Sequence, residues 1–330
     1  MKVCIIGSSG HYGYVLGGIK NHPEVEIAAI SPGSKGENIT SLYNAVSKIN
    51  QNVKVYEDYI KMLDEQKPDI GVVNCFFGDH AKVSAEVLKR GIHLFTEKPV
   101  ATNMEDLNML KELFAKSGVK MAAMFGIRYK PWFLTARDLI EKGAIGEIRL
   151  MNAQKSYKLG SRGENYKNRE IYGGTILWVG SHAVDWVHWL SGNKKFLSVY
   201  ASHSTLFNKN HGDLETTALC HFVMENQVFA SVSIDYLRPE TANGHDDDRI
   251  RIVGSEGILE VRGGKVYLMN KDIQGIKEVD LLEERNIFDD FLKDVTNEGT
   301  CMVTAEDSFY VTEACIRARI SADEKRVVYF

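Results

Sequence analysis

In the first third of the chain, short apolar runs alternate with stretches whose apolar residues recur every three or four positions. Lys2–Ile6, Val25–Ile30, Val53–Tyr56, Ile70–Cys75, Ile92–Phe95 and Val119–Met124 read as strands. Between them, Tyr12–Asn21, Asn38–Ile49, Tyr59–Gln66, Asp79–Arg90 and Asn103–Lys116 read as helices. Apolar strands that alternate with helices predict a parallel, doubly wound sheet covered on both faces. Beyond about residue 124 the pattern changes. A helix, Pro131–Lys142, is followed by longer alternating runs: Glu147–Tyr157, Leu197–Leu206, Glu215–Met224, Val228–Tyr236, Arg249–Val253, Ile258–Arg262 and Lys265–Met269. Most of these runs have no helix between them, so an open, mostly antiparallel sheet is expected. Helices Ile287–Val295 and Ala305–Ser321 finish the chain. The fold class is therefore α/β: a doubly wound N-terminal domain over residues 1–122, then an α+β domain over 123–330.

Composition narrows the partners. The 330 residues are 44% hydrophobic and 25% charged, which allows a sizeable core in each of two domains. A formal charge of -4 with interspersed signs gives no reason to expect nucleic acid or an anionic membrane surface. The apolar start Val3–Ile6 is too short for a secretion signal, and no stretch reaches the ~18 apolar residues that span a bilayer. Cys4, Cys75, Cys220, Cys301 and Cys315 are scattered and read as reduced residues of a cytoplasmic protein. His245-Asp246-Asp247-Asp248 resembles a metal cluster, but consecutive residues rarely converge on one ion. The run His245–Arg249 reads as a solvated loop, and no metal is expected.

Candidate chemistry begins at Gly7-Ser8-Ser9-Gly10-His11-Tyr12-Gly13, which closes the first strand and opens the first helix. Glycines there let the backbone approach a pyrophosphate, whose charge is met by free N–H groups. The strand–loop–helix context makes this a candidate dinucleotide site of a Rossmann domain, with a glycine turn needed only for packing as the alternative. The second strand ends Ile30-Ser31-Pro32-Gly33-Ser34-Lys35 without an acid. A carboxylate at that point would bind ribose hydroxyls and repel a 2′-phosphate. Ser31 and Lys35 in its place lean the choice between NAD and NADP toward NADP. Glu97-Lys98-Pro99 lies at the carboxyl end of the run Ile92–Phe95, on the edge where open parallel sheets bind ligands. A lysine there suits proton transfer or polarisation of a substrate oxygen.

These features do not stand alone. Asp79-His80, Arg128-Tyr129-Lys130-Pro131 and Gly143-Ala144-Ile145-Gly146-Glu147 follow in order. Gly173-Gly174-Thr175-Ile176-Leu177-Trp178-Val179-Gly180-Ser181-His182-Ala183-Val184-Asp185 and Arg249-Ile250-Arg251-Ile252-Val253-Gly254-Ser255-Glu256-Gly257 complete the series. In this order and spacing the chain resembles the glucose–fructose oxidoreductase/inositol dehydrogenase (Gfo/Idh/MocA) family over nearly its whole length. The resemblance implies hydride transfer between nicotinamide C4 and a secondary alcohol or ketone of a sugar, cyclitol or related polyol. It implies a homo-oligomer, dimer or tetramer, joined through the open sheet. It places Lys98 beside the nicotinamide, often with a cis peptide between the lysine and its proline, with Glu97 and Pro99 shaping the cofactor pocket. Phe76, Phe77 and His80 match positions that line the cofactor.

A helix is expected from Gly180-Ser181 to about Leu190, with Ser181 as N-cap. His182 then lies in its first turn, where the dipole disfavours imidazolium, and Asp185 shares its face. The resemblance makes His182 the catalytic partner of Lys98, exchanging the hydroxyl proton. One position departs from the family. Many of its dehydrogenases carry an aspartate four residues before this histidine, and here that residue is Trp178. An indole cannot carry the proton. Trp178 is instead a candidate for stacking on a sugar ring or for the core. Asp247 and Asp248 are considered as a replacement carboxylate. Arg128, Tyr157 and Asp185 are further candidates for the substrate pocket, with Arg169 at its edge. Two rivals to a dehydrogenase remain: a nucleotide-binding regulatory protein without turnover, and a lyase or glycosidase that cycles a retained NAD.

Overall fold

A computed structural model describes residues Met1–Phe330. It divides into two compact units. The first contains Met1–Gly126, Glu170–Gly173 and Asn286–Thr312; the second contains Ile127–Arg169, Gly174–Arg285 and Glu313–Phe330. The sequence reading places a single boundary near residue 122, whereas the fold returns a late segment to the first unit. That segment holds the helix Ile287–Val295, whose Phe288 and Phe291 each lie 5.1 Å, ring to ring, from Phe95. A local pattern cannot announce such a long-range apolar pairing.

In the first unit, β1 (Lys2–Ile6), β2 (Glu26–Ser31), β3 (Lys54–Val55), β4 (Ile70–Val73), β5 (His93–Thr96) and β6 (Met121–Ala123) form one sheet in the order β3-β2-β1-β4-β5-β6. All neighbours are parallel. Helices cover both faces, so the central strands are apolar at consecutive positions. Val3, Ile5, Ile70 and Val72 are all fully buried. The helices are α1 (Gly13–Gly18), α2 (Thr40–Val46), α3 (Tyr59–Gln66), α4 (His80–Lys89) and α5 (Met104–Ser117). Asn103 caps α5 by accepting from the Asp106 N–H, Glu105 and Asp106 sit in its first turn, and Gly118 ends it in the left-handed region. The strand order reverses between β1 and β4, which opens a crevice at their carboxyl ends.

The second unit begins with α6 (Pro131–Glu141) and is built on a nine-stranded sheet. Its strands are β7 (Ile148–Tyr157), β8 (Phe196–Ser204), β9 (Thr217–Met224), β10 (Val228–Asp235), β11 (Asp246–Gly254), β12 (Gly257–Arg262), β13 (Lys265–Asn270), β14 (Lys277–Val279) and β15 (Val328–Tyr329). The order is β14-β13-β12-β11-β7-β10-β9-β8-β15, antiparallel except where β10 runs parallel to β7. The expected loop His245–Arg249 is corrected in part: His245, Asp246 and Arg249 are exposed, but β11 begins at Asp246 and pairs Asp246 with Tyr157, Asp247 with Ser156 and Asp248 with Lys155. Aspartates resist strands, but the Lys155 ammonium lies opposite and offsets them.

A short turn, α7 (Arg169–Tyr172), precedes a π-helical turn, Ile176–Gly180, and then α8 (Ser181–Leu190). All ten residues of α8 are buried, so it belongs to the core rather than the surface. A Cβ on Gly180 would come 2.5 Å from Ile234 Cδ1 of β10, so glycine sets that close approach. Ser181 is not the expected N-cap. The chain is already helical at Thr175 and Gly180, and the Ser181 hydroxyl donates to the Trp178 carbonyl. Helix α9 (Ile287–Val295) and helix α10 (Ala305–Glu324) complete the fold. No helix is long and apolar enough to cross a membrane.

Candidate active site

The glycine loop rests on the end of β4. Gly7 has φ +86°, and a Cβ there would fall 2.4 Å from the Cys75 backbone nitrogen. Its N–H donates to the Ser31 carbonyl at 2.8 Å, and the Ser9 N–H donates to the Asn74 carbonyl at 2.7 Å. Gly10 is equally confined, since a Cβ would lie 2.7 Å from both Asn74 Oδ1 and Glu97 Oε2. Asn74 is fully buried, yet neither atom of its amide has a hydrogen-bond partner, and Glu97 Oε1 has none either. Buried polar atoms normally find partners. A cradle walled by glycine and lined with orphaned donors and acceptors fits a ligand rich in hydroxyl and amide groups, as a nicotinamide dinucleotide is.

Glu97 is anchored to the loop. Its Oε2 accepts from the His11 N–H and contacts His11 Nδ1, each at 2.8 Å. Burial alone would raise the carboxyl, but His11 and the Lys98 charge outweigh it and hold the pKa down at about 2. The Lys98–Pro99 peptide is cis, and Lys98 is buried. His80 lies beneath this turn rather than open to a ligand. Its Nδ1 is 2.7 Å from the Pro99 carbonyl, and its Nε2 is 3.0 Å from the Cys75 carbonyl. Burial lowers its pKa, and the two carbonyls oppose that. It ties the lysine turn to the end of β4. Phe77 meets its ring edge-on at 5.3 Å, while the Phe76 N–H donates to Ser34 Oγ at 3.1 Å. Tyr12 starts α1 without a side-chain cap.

The sequence reading missed Glu37. The acid absent from the end of β2 arrives six residues later, through the Gly33-Ser34 turn. Glu37 Oε1 accepts from the Ser8 N–H at 2.9 Å and the Ser9 hydroxyl at 2.6 Å. Its Oε2 accepts from the Gly33 N–H at 3.0 Å and the Ser34 N–H at 3.2 Å. A buried carboxylate thus sits between the glycine loop and the end of β2, while Lys35 is exposed and the Ser31 hydroxyl donates to the Pro32 carbonyl. Its signal in the sequence is an acid three positions after Gly33-Ser34, beyond the strand end where a ribose-binding carboxylate is expected.

In the second unit, Trp178, His182 and Trp186 recur every four residues along the π-turn and α8, and all are buried. Because the helix starts before Ser181, the dipole argument for a neutral His182 no longer applies. Arg128 and Asp185 are bound to each other. Arg128 Nε lies 3.0 Å from both carboxylate oxygens, and Nη2 lies 2.5 Å from Oδ1. Tyr166 stacks on the Trp178 indole at 4.4 Å, so one face is already covered. Lys155, fully buried, pairs with Asp248 and lies 3.1 Å from Asp246 and 4.8 Å from the Tyr157 ring centre. Burial pushes the Tyr157 phenol up to about 12 and the Asp248 carboxyl up to about 6, the latter against the pull of Lys155. Asp247 is held by Arg238 and Arg249, so every carboxylate of the run is paired, Asp246 and Asp248 sharing Lys155. Arg169 faces Glu215 at 3.1 Å and Asp323 at 2.8 Å.

Residues 1–125 match the oxidoreductase family with an NAD-binding Rossmann fold, and residues 133–260 match the GFO/IDH/MocA C-terminal domain. The chain belongs to the Gfo/Idh/MocA oxidoreductase family. Among Gfo/Idh/MocA relatives, the inositol 2-dehydrogenase of Salmonella typhimurium is 25% identical over 224 residues, covering 66% of this chain and 61% of that protein. The chain thus matches less than two thirds of that relative's length. A solved Thermotoga maritima structure described as an oxidoreductase has TM-score 0.97, with 53% identity and 100% of both chains covered. The aldose-aldose oxidoreductase of Caulobacter crescentus, with 18% identity and TM-score 0.83, covers 100% of this chain and 99% of its own. At that identity the likeness concerns the fold. In this Gfo/Idh/MocA member, Lys98, Trp178 and His182 are all buried.

Proposed function

We propose that this protein is a nicotinamide-dependent dehydrogenase that interconverts a secondary alcohol of a sugar, cyclitol or related polyol with its ketone. The observation that carries the reading is the Glu97-Lys98 turn. What supports it is that the Glu97 carboxylate is fastened to the glycine loop through His11, keeps one oxygen without a partner, and is followed directly in the chain by Lys98. Gly10, Asn74 and Glu97 would hold the dinucleotide. When bound, its nicotinamide supplies the hydride acceptor or donor. The Lys98 ammonium donates a hydrogen bond to the carbinol oxygen and stabilises negative charge as it develops there. His182 takes the hydroxyl proton as the C–H bond gives up its hydride, and returns it in the reverse direction. Neither role needs a carboxylate at position 178.

The cofactor we propose is NAD rather than NADP. Serine hydroxyls and a lysine after β2 lean the other way, but Lys35 is exposed while the buried Glu37 carboxylate occupies the space beside the loop. A homo-oligomer joined through the open sheet is part of the same proposal. Leu150 and Phe229 are cross-strand neighbours and both are exposed, at 38% and 42%.

Fluorescence titration with NADH, followed by a polyol and aldose panel assayed for NAD reduction, tests the reading. Saturable binding and at least one turned-over substrate are expected. His182→Ala should lose about 10²- to 10⁴-fold in kcat while keeping NADH affinity. Binding without turnover of any substrate would favour a regulatory role, the reading that Trp178 supports.

A further inference from the structure

Arg162 lies between two aromatic rings without an acid. Its guanidinium carbon is 5.2 Å from the Trp178 ring centre and 5.2 Å from that of Tyr236. Nη2 donates to the Lys158 carbonyl at 3.0 Å and lies 3.4 Å from His245 Nε2. Nε is buried and has no hydrogen-bond partner. The nearby carboxylates are already committed: Asp246 and Asp248 to Lys155, Asp247 to Arg238 and Arg249, and Glu164 to Lys167. A guanidinium drawn partly out of water ordinarily keeps a carboxylate against it. This one is held by aromatic faces and a single carbonyl, with donors left over.

Its place in the unit gives the observation meaning. Trp178 stands four residues before His182 on one continuous helical segment, so the two are neighbours along it. An acid at position 178 would neutralise Arg162 and repel an incoming anion. A neutral indole does neither, and it supplies the face on which the guanidinium rests. We propose that Arg162 binds a carboxylate of the substrate, so that the alcohol oxidised belongs to a sugar acid, a uronate or an aldonate, rather than to a neutral sugar or cyclitol. The planar fork of a guanidinium matches a carboxylate through two parallel hydrogen bonds. The proposal rests on the dehydrogenase reading and narrows its substrate class.

The test compares D-glucuronate, D-galacturonate and D-gluconate with D-glucose, myo-inositol and glucose 6-phosphate as reductants of NAD. Wild type, Arg162→Gln and Arg162→Lys are assayed, and NADH affinity is measured for each as a check on folding. Wild type should use one of the acids with a kcat/KM at least tenfold above every neutral compound. Arg162→Gln should raise KM for that acid about 10- to 100-fold with kcat within about threefold, and leave neutral compounds unaffected. Arg162→Lys should recover only part of the loss, since an ammonium lacks the fork. Three results overturn the inference while the dehydrogenase reading survives. They are equal use of neutral compounds, preference for the phosphate, or an Arg162→Gln defect shared by acids and neutral compounds alike. Wild type that binds NADH but turns over none of the acids also overturns it. Failure to bind any nicotinamide dinucleotide removes the dehydrogenase reading itself.

Discussion

Asp185 receives Arg128 in a two-oxygen embrace, with both side chains essentially withdrawn from solvent. The sequence suggests these two as substrate ligands, and the fold joins them to each other. Arg128 follows the last Rossmann strand and Asp185 lies on α8, so the pair pins the start of the second unit to its buried helix. Cutting one side of such a pair leaves an uncompensated charge in a low-dielectric interior, which costs far more than the pair contributes as a whole.

Asp185→Asn or Arg128→Met alone should therefore lower unfolding stability by about 3–5 kcal/mol, and the double variant Arg128→Met/Asp185→Leu should recover a large part of that. Urea unfolding of the four proteins measures it. Single variants that keep full stability and lose only substrate affinity would instead make the two residues ligands.

Glu37 sets a second expectation. A 2′-phosphate brought to within about 4 Å of its carboxylate meets a repulsion of about 4 kcal/mol per unit charge at an effective dielectric of 20, before screening. Wild type should bind NADH at least about 30-fold tighter than NADPH. Glu37→Ser should tighten NADPH at least tenfold while weakening NADH by less than about fivefold. Calorimetric titration of both forms decides it, and a wild type that binds the two equally would remove Glu37 as the discriminating group.

Glu97 adds a pH dependence. Its folded pKa, about 2, lies below the 4.5 of the free carboxyl. The native state therefore releases its proton more readily than the unfolded chain does. The stabilisation is fully present above pH 4.5 and is lost as pH falls toward 2. The whole effect is about 3 kcal/mol, of which about 1 is gone by pH 3.5. The stability gap between wild type and Glu97→Gln should narrow by that amount between pH 6 and 3.5. A constant gap over the range would mean that His11 does not hold the carboxylate.

Much of this protein is legible in one dimension. Strands buried on both faces must be apolar at consecutive positions, so β1, β4 and β5 announce themselves, and a glycine-punctuated turn between β1 and α1 marks the crevice. Asn103 and Gly118 bracket α5 as sequence rules require. What stayed hidden depends on partners distant in the chain. The start of β11 is written in aspartates, which read as a loop until Lys155 is seen opposite. Ser181 has the chemistry of an N-cap, but a preceding π-turn packed on Ile234 continues the helix through it.

By itself the sequence determined the order of the main elements and the position of the glycine loop, which follow from local periodicity and motif, and a family resemblance pointed to Lys98 and His182, while the short α7, β14 and β15 went unread. Only the tertiary structure decided which charges are spent. Arg128 is consumed by Asp185, Lys155 by Asp246 and Asp248, Glu37 by the loop amides, and Arg162 keeps no acid. Electrostatic partnership is settled by separations of a few ångströms across the fold, and residue spacing along the chain does not encode those separations.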